Sequence, residues 1–166
     1  TLETVLRRAL NNGEIDFAYQ PVMDLHNQEV MAIEVLARWN HPTRGFLVPD
    51  DFMGLAEETG VIFDIDILAL QAAFRLLSHE NYKHTPLVAI NISGRSAHNN
   101  SQRKAVMALI NQSGVDKRKL VLEFSESSLT TYDSSTQMLK AFHSLGVKLA
   151  LDDIGAESGS LKLLFS

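Results

Sequence analysis

An α/β barrel with its chemistry at the C-terminal ends of parallel strands is the fold class predicted here, on three observations. First, four short apolar runs are bounded by polar residues: Val30-Met31-Ala32-Ile33-Glu34, Leu87-Val88-Ala89-Ile90-Asn91, Leu120-Val121-Leu122-Glu123 and Val147-Lys148-Leu149-Ala150-Leu151-Asp152-Asp153. Runs of this kind read as buried strands of a parallel sheet. Second, helical segments separate them, the layout of a barrel with its site at the strand ends. Third, each run ends in, or carries near its end, a carboxylate or amide oxygen. Carboxylates are rarely buried unless they are paired or bind metal, so four such ends point to a hard cation.

Taken in order, the elements alternate. Leu2 to Asn12 has helical character and Gly13 closes it. Phe17 to Val22 reads as a first strand, with a turn at Asp24-Leu25-His26-Asn27. The second strand runs from about Glu29 to Arg38. The segment His41-Pro42-Thr43-Arg44-Gly45 is rich in turn formers and reads as a loop. Pro49-Asp50-Asp51 opens a helix with acids in its first turn, and Gly60 ends it. A longer helix spans roughly Ile62 to Ser78. Pro86 precedes the third strand, which ends at Asn91. Ser101 to Ser113 is helical and Gly114 stops it. Lys119 to Phe124 is the fourth strand, Ser134 to Leu145 a helix, and Val147 to Asp152 the fifth strand. No internal repeat, low-complexity tract or linker interrupts the pattern.

Composition narrows the classes. A chain of 166 residues can bury one sizeable core. Its 45% apolar and 21% charged residues are those of a globular domain. The sequence has no cysteine, which excludes disulfides, thiolate catalysis and Cys-based zinc sites. A net charge of −5 argues against a nonspecific binder of nucleic-acid polymers. A small anionic ligand is compatible with it, because divalent cations reverse the local field. No apolar stretch reaches membrane-spanning length and no signal peptide opens the chain, so a cytoplasmic domain without membrane contact is expected.

Over almost its whole length, from Tyr19-Gln20-Pro21-Val22 to Ser160-Leu161, the chain resembles the EAL domains, bacterial phosphodiesterases that open cyclic di-GMP. The namesake motif stands here as Glu34-Val35-Leu36, with valine for the usual alanine, and continues into Ala37-Arg38-Trp39. His41-Pro42, Gly45, Pro49, Phe52, Ala56-Glu57 and Gly60 follow in the family's order and spacing. Then come Asn91-Ile92-Ser93, Glu123-Phe124-Ser125-Glu126 and Asp152-Asp153-Ile154-Gly155. The resemblance implies one domain, residues 1–166, with an EAL-type barrel that is incomplete here at about five of eight strands.

It also implies a two-metal site. Two divalent cations lower the pKa of a bound water and clamp phosphate oxygens. Carboxylates and an amide without thiolate suit Mg²⁺ or Mn²⁺. By resemblance Glu34, Asn91, Glu123 and Asp152 hold the first ion. Asp152 bridges to the second, with Asp153 beside it, and Glu34, Asp152 and Asp153 form the catalytic set. Arg38 meets a substrate phosphate through its planar fork. Gln20 and Leu36 line the substrate groove, and Glu126 braces the loop after the fifth strand. A homodimer, or further domains of a longer protein, is the expected assembly. Read without the family, each residue has a plainer role. Glu34 could pair with Arg38, Asn91 could cap the following turn or helix, Glu123 and Glu126 could be a solvated strand end, and Asp152-Asp153 could be an N-cap pair. The six histidines show no ligand spacing and read as surface or loop residues, and Trp39 reads as barrel packing beside the groove.

Two departures from the family bear on activity. The loop after the double aspartate runs Asp-Asp-Phe-Gly-Thr-Gly-Tyr-Ser-Ser-Leu in the family. Here it is Asp152-Asp153-Ile154-Gly155-Ala156-Glu157-Ser158-Gly159-Ser160-Leu161, which loses a glycine and adds the acid Glu157 beside the proposed ions. Residues that orient metal ligands are typically worth about 10–100-fold in affinity or activity. Second, a full barrel typically takes about 250 residues. The family's sixth-strand lysine, later glutamate and glutamine would fall beyond Ser166. The expectation is therefore weak or absent turnover by this chain alone, with a degenerate module that binds cyclic di-GMP or a protein partner as the alternative. A sheet ending at Val147 to Asp152 would also leave a bare edge, and self-association is expected from it.

Overall fold

In the computed structural model, residues 1–82, 84, 87–130, 134–152 and 161–165 are described, the last five and Tyr82 by their backbone alone. Among them, seven strands form one open sheet. The elements are α1 (Leu2–Asn11), β1 (Ile15–Met23), β2 (Val30–His41), β3 (Gly45–Leu47), α2 (Pro49–Thr59), α3 (Ile62–Ser78), β4 (Val88–Asn91), α4 (Gly94–His98), α5 (Asn100–Gln112), β5 (Leu120–Ser125), α6 (Glu126–Thr130), α7 (Ser135–His143), β6 (Lys148–Asp152) and β7 (Leu161–Phe165). Single 3₁₀ turns stand at Glu80–Tyr82 and Lys117–Lys119.

Spatially the strands run β1-β2-β4-β5-β6-β7, with β3 a short antiparallel ribbon on β2. The pairs β2–β4, β4–β5 and β5–β6 are parallel, joined by helical crossovers. These four strands are the ones the apolar runs mark. β1 and β7 flank them antiparallel. The sheet is not closed, as befits an incomplete (β/α) barrel.

The helix ends follow local chemistry. Thr1 Oγ1 accepts from the Thr4 backbone N–H at 3.2 Å to start α1. Pro49 opens α2, and Asp51 Oδ2 accepts from the Val48 N–H at 3.0 Å. The α2 helix stops at Gly60, whose φ of +78° suits a residue without a Cβ. The long α3 buries Ile62, Ile65, Asp66, Ala69, Leu70, Ala72, Ala73 and Leu76.

The two faces of the sheet pack differently. On one, Val88, Ile90, Leu120, Leu122, Phe124 and Leu149 meet Leu70 and Leu76 of α3, Val106 and Ile110 of α5, and Met138 and Phe142 of α7. Phe124 and Phe142 lie 5.7 Å apart, ring centre to ring centre. The other face carries the small cluster Ala89, Val121 and Ala150. A second apolar body joins α1, α2 and the far end of β2 around Trp39, Phe52 and Ile62. Trp39 packs edge-on to Phe52 at 5.7 Å and donates its Nε1–H to Glu14 Oε2 at 3.0 Å.

Four elements lie outside the sequence expectation. The segment read as a loop folds back as β3, since Gly45 at φ +77° reverses the chain. The short α4 and α6 are single stretches of five residues, below the length at which apolar periodicity is visible. β7 covers the edge of β6 that was expected to be bare, and Ile90, Val121 and Leu149 are wholly buried. Truncating the Phe124 side chain should remove the ring pair and leave a cavity. Phe124→Ala is expected to cost about 3–5 kcal/mol, read as a lower urea midpoint with an unchanged slope.

Candidate metal centre

Strand register decides what shares the open end of the sheet. Residues paired across parallel strands point to one face, and so do residues two apart along a strand. Glu34 pairs with Ala89. Asn91, two beyond Ala89, pairs with Glu123. Ser125, two beyond Glu123, pairs with Asp152. All four oxygen donors therefore stand on one face. Their stepwise advance along successive strands is the stagger that tilted barrel strands require.

The four border one cavity. A cavity of about 300 Å³ is lined by Glu34, Leu36, Asn91, Glu123 and Asp152, and extends to Glu57 and Asp66. Gln20 lies opposite Glu34 on β1 and is exposed. Arg38 shares the face of Glu34 and Leu36 but lies outside the cavity, with Nη1 donating to the Ala37 carbonyl at 2.9 Å. Glu126 is exposed at the first position of α6. Asp153 and the loop that Glu126 was expected to brace lie outside the described residues.

Glu123 is the electrostatic centre. It stands in β5, whose residues Leu120 to Phe124 are all buried, and is itself 3% exposed. Its carboxyl is pushed up to about 9 by burial first, then by the charge of Glu34, a hydrogen bond with Glu34 and the charge of Asp152. Its Oε2 is buried without a hydrogen-bond partner. A buried carboxyl oxygen with no donor, beside two more carboxylates and an amide oxygen, fits a cation with oxygen preference. Among the described residues no three His, Asp or Glu side chains stand close enough to hold an ion as they are.

The plainer readings can be placed against this geometry. Glu34 bonds Glu123, while Arg38 bonds its own strand. The cap of α4 is Ser93, whose hydroxyl accepts from the Ser96 N–H at 3.1 Å, so Asn91 does not serve as the cap. Glu123 is not a solvated strand end. His98 sits within α4, with Nε2 at 3.1 Å from the Ser128 carbonyl, rather than on a loop.

One acid escaped the sequence reading. Asp66, on α3, is 3% exposed. It accepts from the Ser93 N–H at 3.1 Å and the Ser93 hydroxyl at 2.9 Å. Its carboxyl is raised to about 7, chiefly by burial, against the lowering effect of those hydrogen bonds. An acid at helical spacing within the apolar set Ile62, Ile65, Ala69 and Ala73 was the available signal.

With this geometry in view, the comparisons with known proteins are direct. The EAL domain family model matches residues 3–166, and the chain belongs to that family. The chain is 37% identical over 166 residues to the uncharacterized protein y4lL of Sinorhizobium fredii, covering 98% of this chain and 20% of that protein. It is 35% identical over 170 residues to the cyclic di-GMP phosphodiesterase NbdA of Pseudomonas aeruginosa, covering 98% and 21%. The chain thus spans about a fifth of each of these relatives. Among solved structures, the PaMucR phosphodiesterase in complex with c-di-GMP superimposes with a TM-score of 0.84 at 29% identity, over 96% of this chain and 66% of that one. No helix among the described residues is long and apolar enough to cross a membrane.

The buried carboxyls set a pH dependence. In the unfolded chain Glu123 and Asp66 lose their protons near ordinary carboxylate values, while the folded state keeps them. Folding stability without divalent cation is therefore greatest at acid pH and falls as pH rises, through Asp66 up to about 7 and through Glu123 up to about 9. The slope is at most about 1.4 kcal/mol per pH unit for each group. Urea titrations from pH 5 to 9 should show this fall, and Glu123→Gln should flatten its limb above pH 7.

Proposed function

We propose that the complete domain hydrolyses cyclic di-GMP to the linear dinucleotide with Mg²⁺ or Mn²⁺, and that this chain alone turns over slowly or not at all. The observation that carries this reading is the convergence of Glu34, Asn91, Glu123 and Asp152 on one cavity, with Glu123 Oε2 lacking a donor. The family, and a relative named as a cyclic di-GMP phosphodiesterase, support the substrate. Bound cations would supply an activated water and cover for phosphate charge.

The residues divide that work. Glu34, Asn91, Glu123 and Asp152 hold the first ion, and Asp152 with Asp153 serves the second. Binding releases the proton that Glu123 carries in the empty fold, so affinity rises with pH. Leu36 lines the cavity and gives an apolar surface for a guanine ring. Gln20 and Arg38 stand on the same face at the rim, where Arg38 would turn its fork from the Ala37 carbonyl to a phosphate. By the family resemblance, Glu126 would brace the loop that follows Asp152. The parent is a longer multidomain protein or a homodimer, with this domain in the cytoplasm.

The altered loop from Ile154 to Ser160 favours a second reading, a receptor module that binds the nucleotide without opening it. Two measurements separate them. Calorimetry with Mn²⁺ on the 166-residue chain should show weak binding that Asp152→Ala lowers by more than about tenfold. Chromatography of cyclic di-GMP incubated with Mn²⁺ should show little or no product from this chain, and product from the complete parent that Glu34→Ala abolishes. Nucleotide binding by the parent with no turnover would establish the receptor instead.

A further inference from the structure

We infer that Asp66 is a positioning residue for the metal centre, acting through Ser93 on the orientation of Asn91. This rests on the metal reading above for its consequence and on geometry for its mechanism. Asn91 is the last residue of β4, where ladder bonding ends and the chain turns into α4. Its side chain is an amide with no charge of its own, so backbone direction must aim its oxygen.

Four hydrogen bonds set that direction. The Ile92 N–H donates to the Glu123 carbonyl at 3.0 Å, which ties the turn to the neighbouring proposed ligand. The Ser93 N–H and hydroxyl both reach Asp66 Oδ2, at 3.1 and 2.9 Å. The Ser96 N–H returns to the Ser93 hydroxyl at 3.1 Å and starts α4. Asn91 is thus held between a strand it borders and a helix, α3, that lies on the opposite face of the sheet. Gly94 completes the clamp: a Cβ there would stand 2.5 Å from Ser128 Cβ, so the turn after β4 rests against α6.

A purely structural role does not account for an acid at this place. Asp66 is surrounded by Ile62, Ile65, Ala69 and Leu70, and burial makes its charge unfavourable. Buried charged networks are frequently no more stable than apolar replacements of similar volume. What the carboxyl adds over an apolar residue is a single fixed acceptor, Oδ2, for two donors of the residue two beyond Asn91. Arg95 anchors the same turn from outside, with Nη1 donating to the Glu57 and Glu58 carbonyls at the end of α2.

The test is a double-mutant cycle read by Mn²⁺ calorimetry, below the unfolding temperature of every variant. Asp66→Leu, which removes the acceptor at similar volume, should lower Mn²⁺ affinity by about 10–100-fold, as removal of a partner that orients a metal ligand does, while Asp66→Asn, whose amide oxygen still accepts from Ser93, should largely keep it. In an Asn91→Ala background Asp66→Leu should cause no further loss. Equal losses in the two backgrounds, or none in either, would overturn the inference. Should Asp66→Leu fail to fold, Ser93→Ala takes its place, with Ser93→Thr expected to keep affinity within about threefold because it retains both donors. The Asn91 side-chain amide signals in ¹⁵N spectra without cation should shift in Asp66→Leu or Ser93→Ala, while those of Asn111 stay. Unmoved Asn91 signals would overturn the positioning role. If the parent chain binds no Mn²⁺ at all, the metal reading fails, and the amide signals decide the positioning role by themselves.

Discussion

A carboxyl group in the middle of a strand buried on both faces must hold a proton, find a donor or meet a cation. Glu123 is that group, and much of the molecule is arranged around it. Strand β5 lies in the centre of the parallel set and is apolar from Leu120 to Phe124 apart from this residue. Its neighbours Leu122 and Phe124 point to the helical layer, where they are fully buried. The pleat then leaves Glu123 no alternative to the inner face. There it meets Glu34 and Asp152, charges of its own sign. Without a cation this arrangement is electrostatically unfavourable, and the raised carboxyl is the expression of that cost. A domain that selects such a cluster gains binding chemistry from a place where it could have had stability.

The inner face is built to make room for it. Below the oxygen donors stand Ala89, Val121 and Ala150, small residues for a curving sheet. The large residues go to the outer face, where Leu70, Leu76, Ile110 and Phe142 interdigitate with the strands. The division of labour is that of barrel enzymes: packing on the outside carries the stability, and strand ends carry the chemistry. The connecting turns are then anchored to the outer layer. Asp66 reaches from α3 to Ser93, Arg95 to the end of α2, and Gly94 lets the turn settle on Ser128. The open end of the sheet is held by these contacts rather than by the strands alone.

The family places this chain among EAL domains, and the chain's own residues say where it differs. The proximal oxygen donors of the family's motifs are present and line one cavity. The loop from Ile154 to Ser160 departs from the pattern, and it leads into β7, which runs antiparallel to β6 instead of continuing the parallel series.

The sequence by itself determined the parallel strands, the helices Leu2–Asn11, Pro49–Thr59 and Ile62–Ser78, and an oxygen-bearing side chain at or near the end of each of four strands, because apolar runs of fixed period and their polar ends are local signals. It also carried the family, through short motifs in a conserved order of spacing. Only the tertiary structure decided that the four donors share one face, since that depends on the register between strands far apart in the chain. Tertiary structure likewise decided that Asn91 is not the cap, that Glu123 is buried rather than solvated, and that Asp66 and Ser93 meet across 27 residues. The antiparallel β3 and β7, and the five-residue α4 and α6, were illegible for a related reason. Elements that short draw their stability from the surfaces they land on, and no single stretch of sequence records those surfaces.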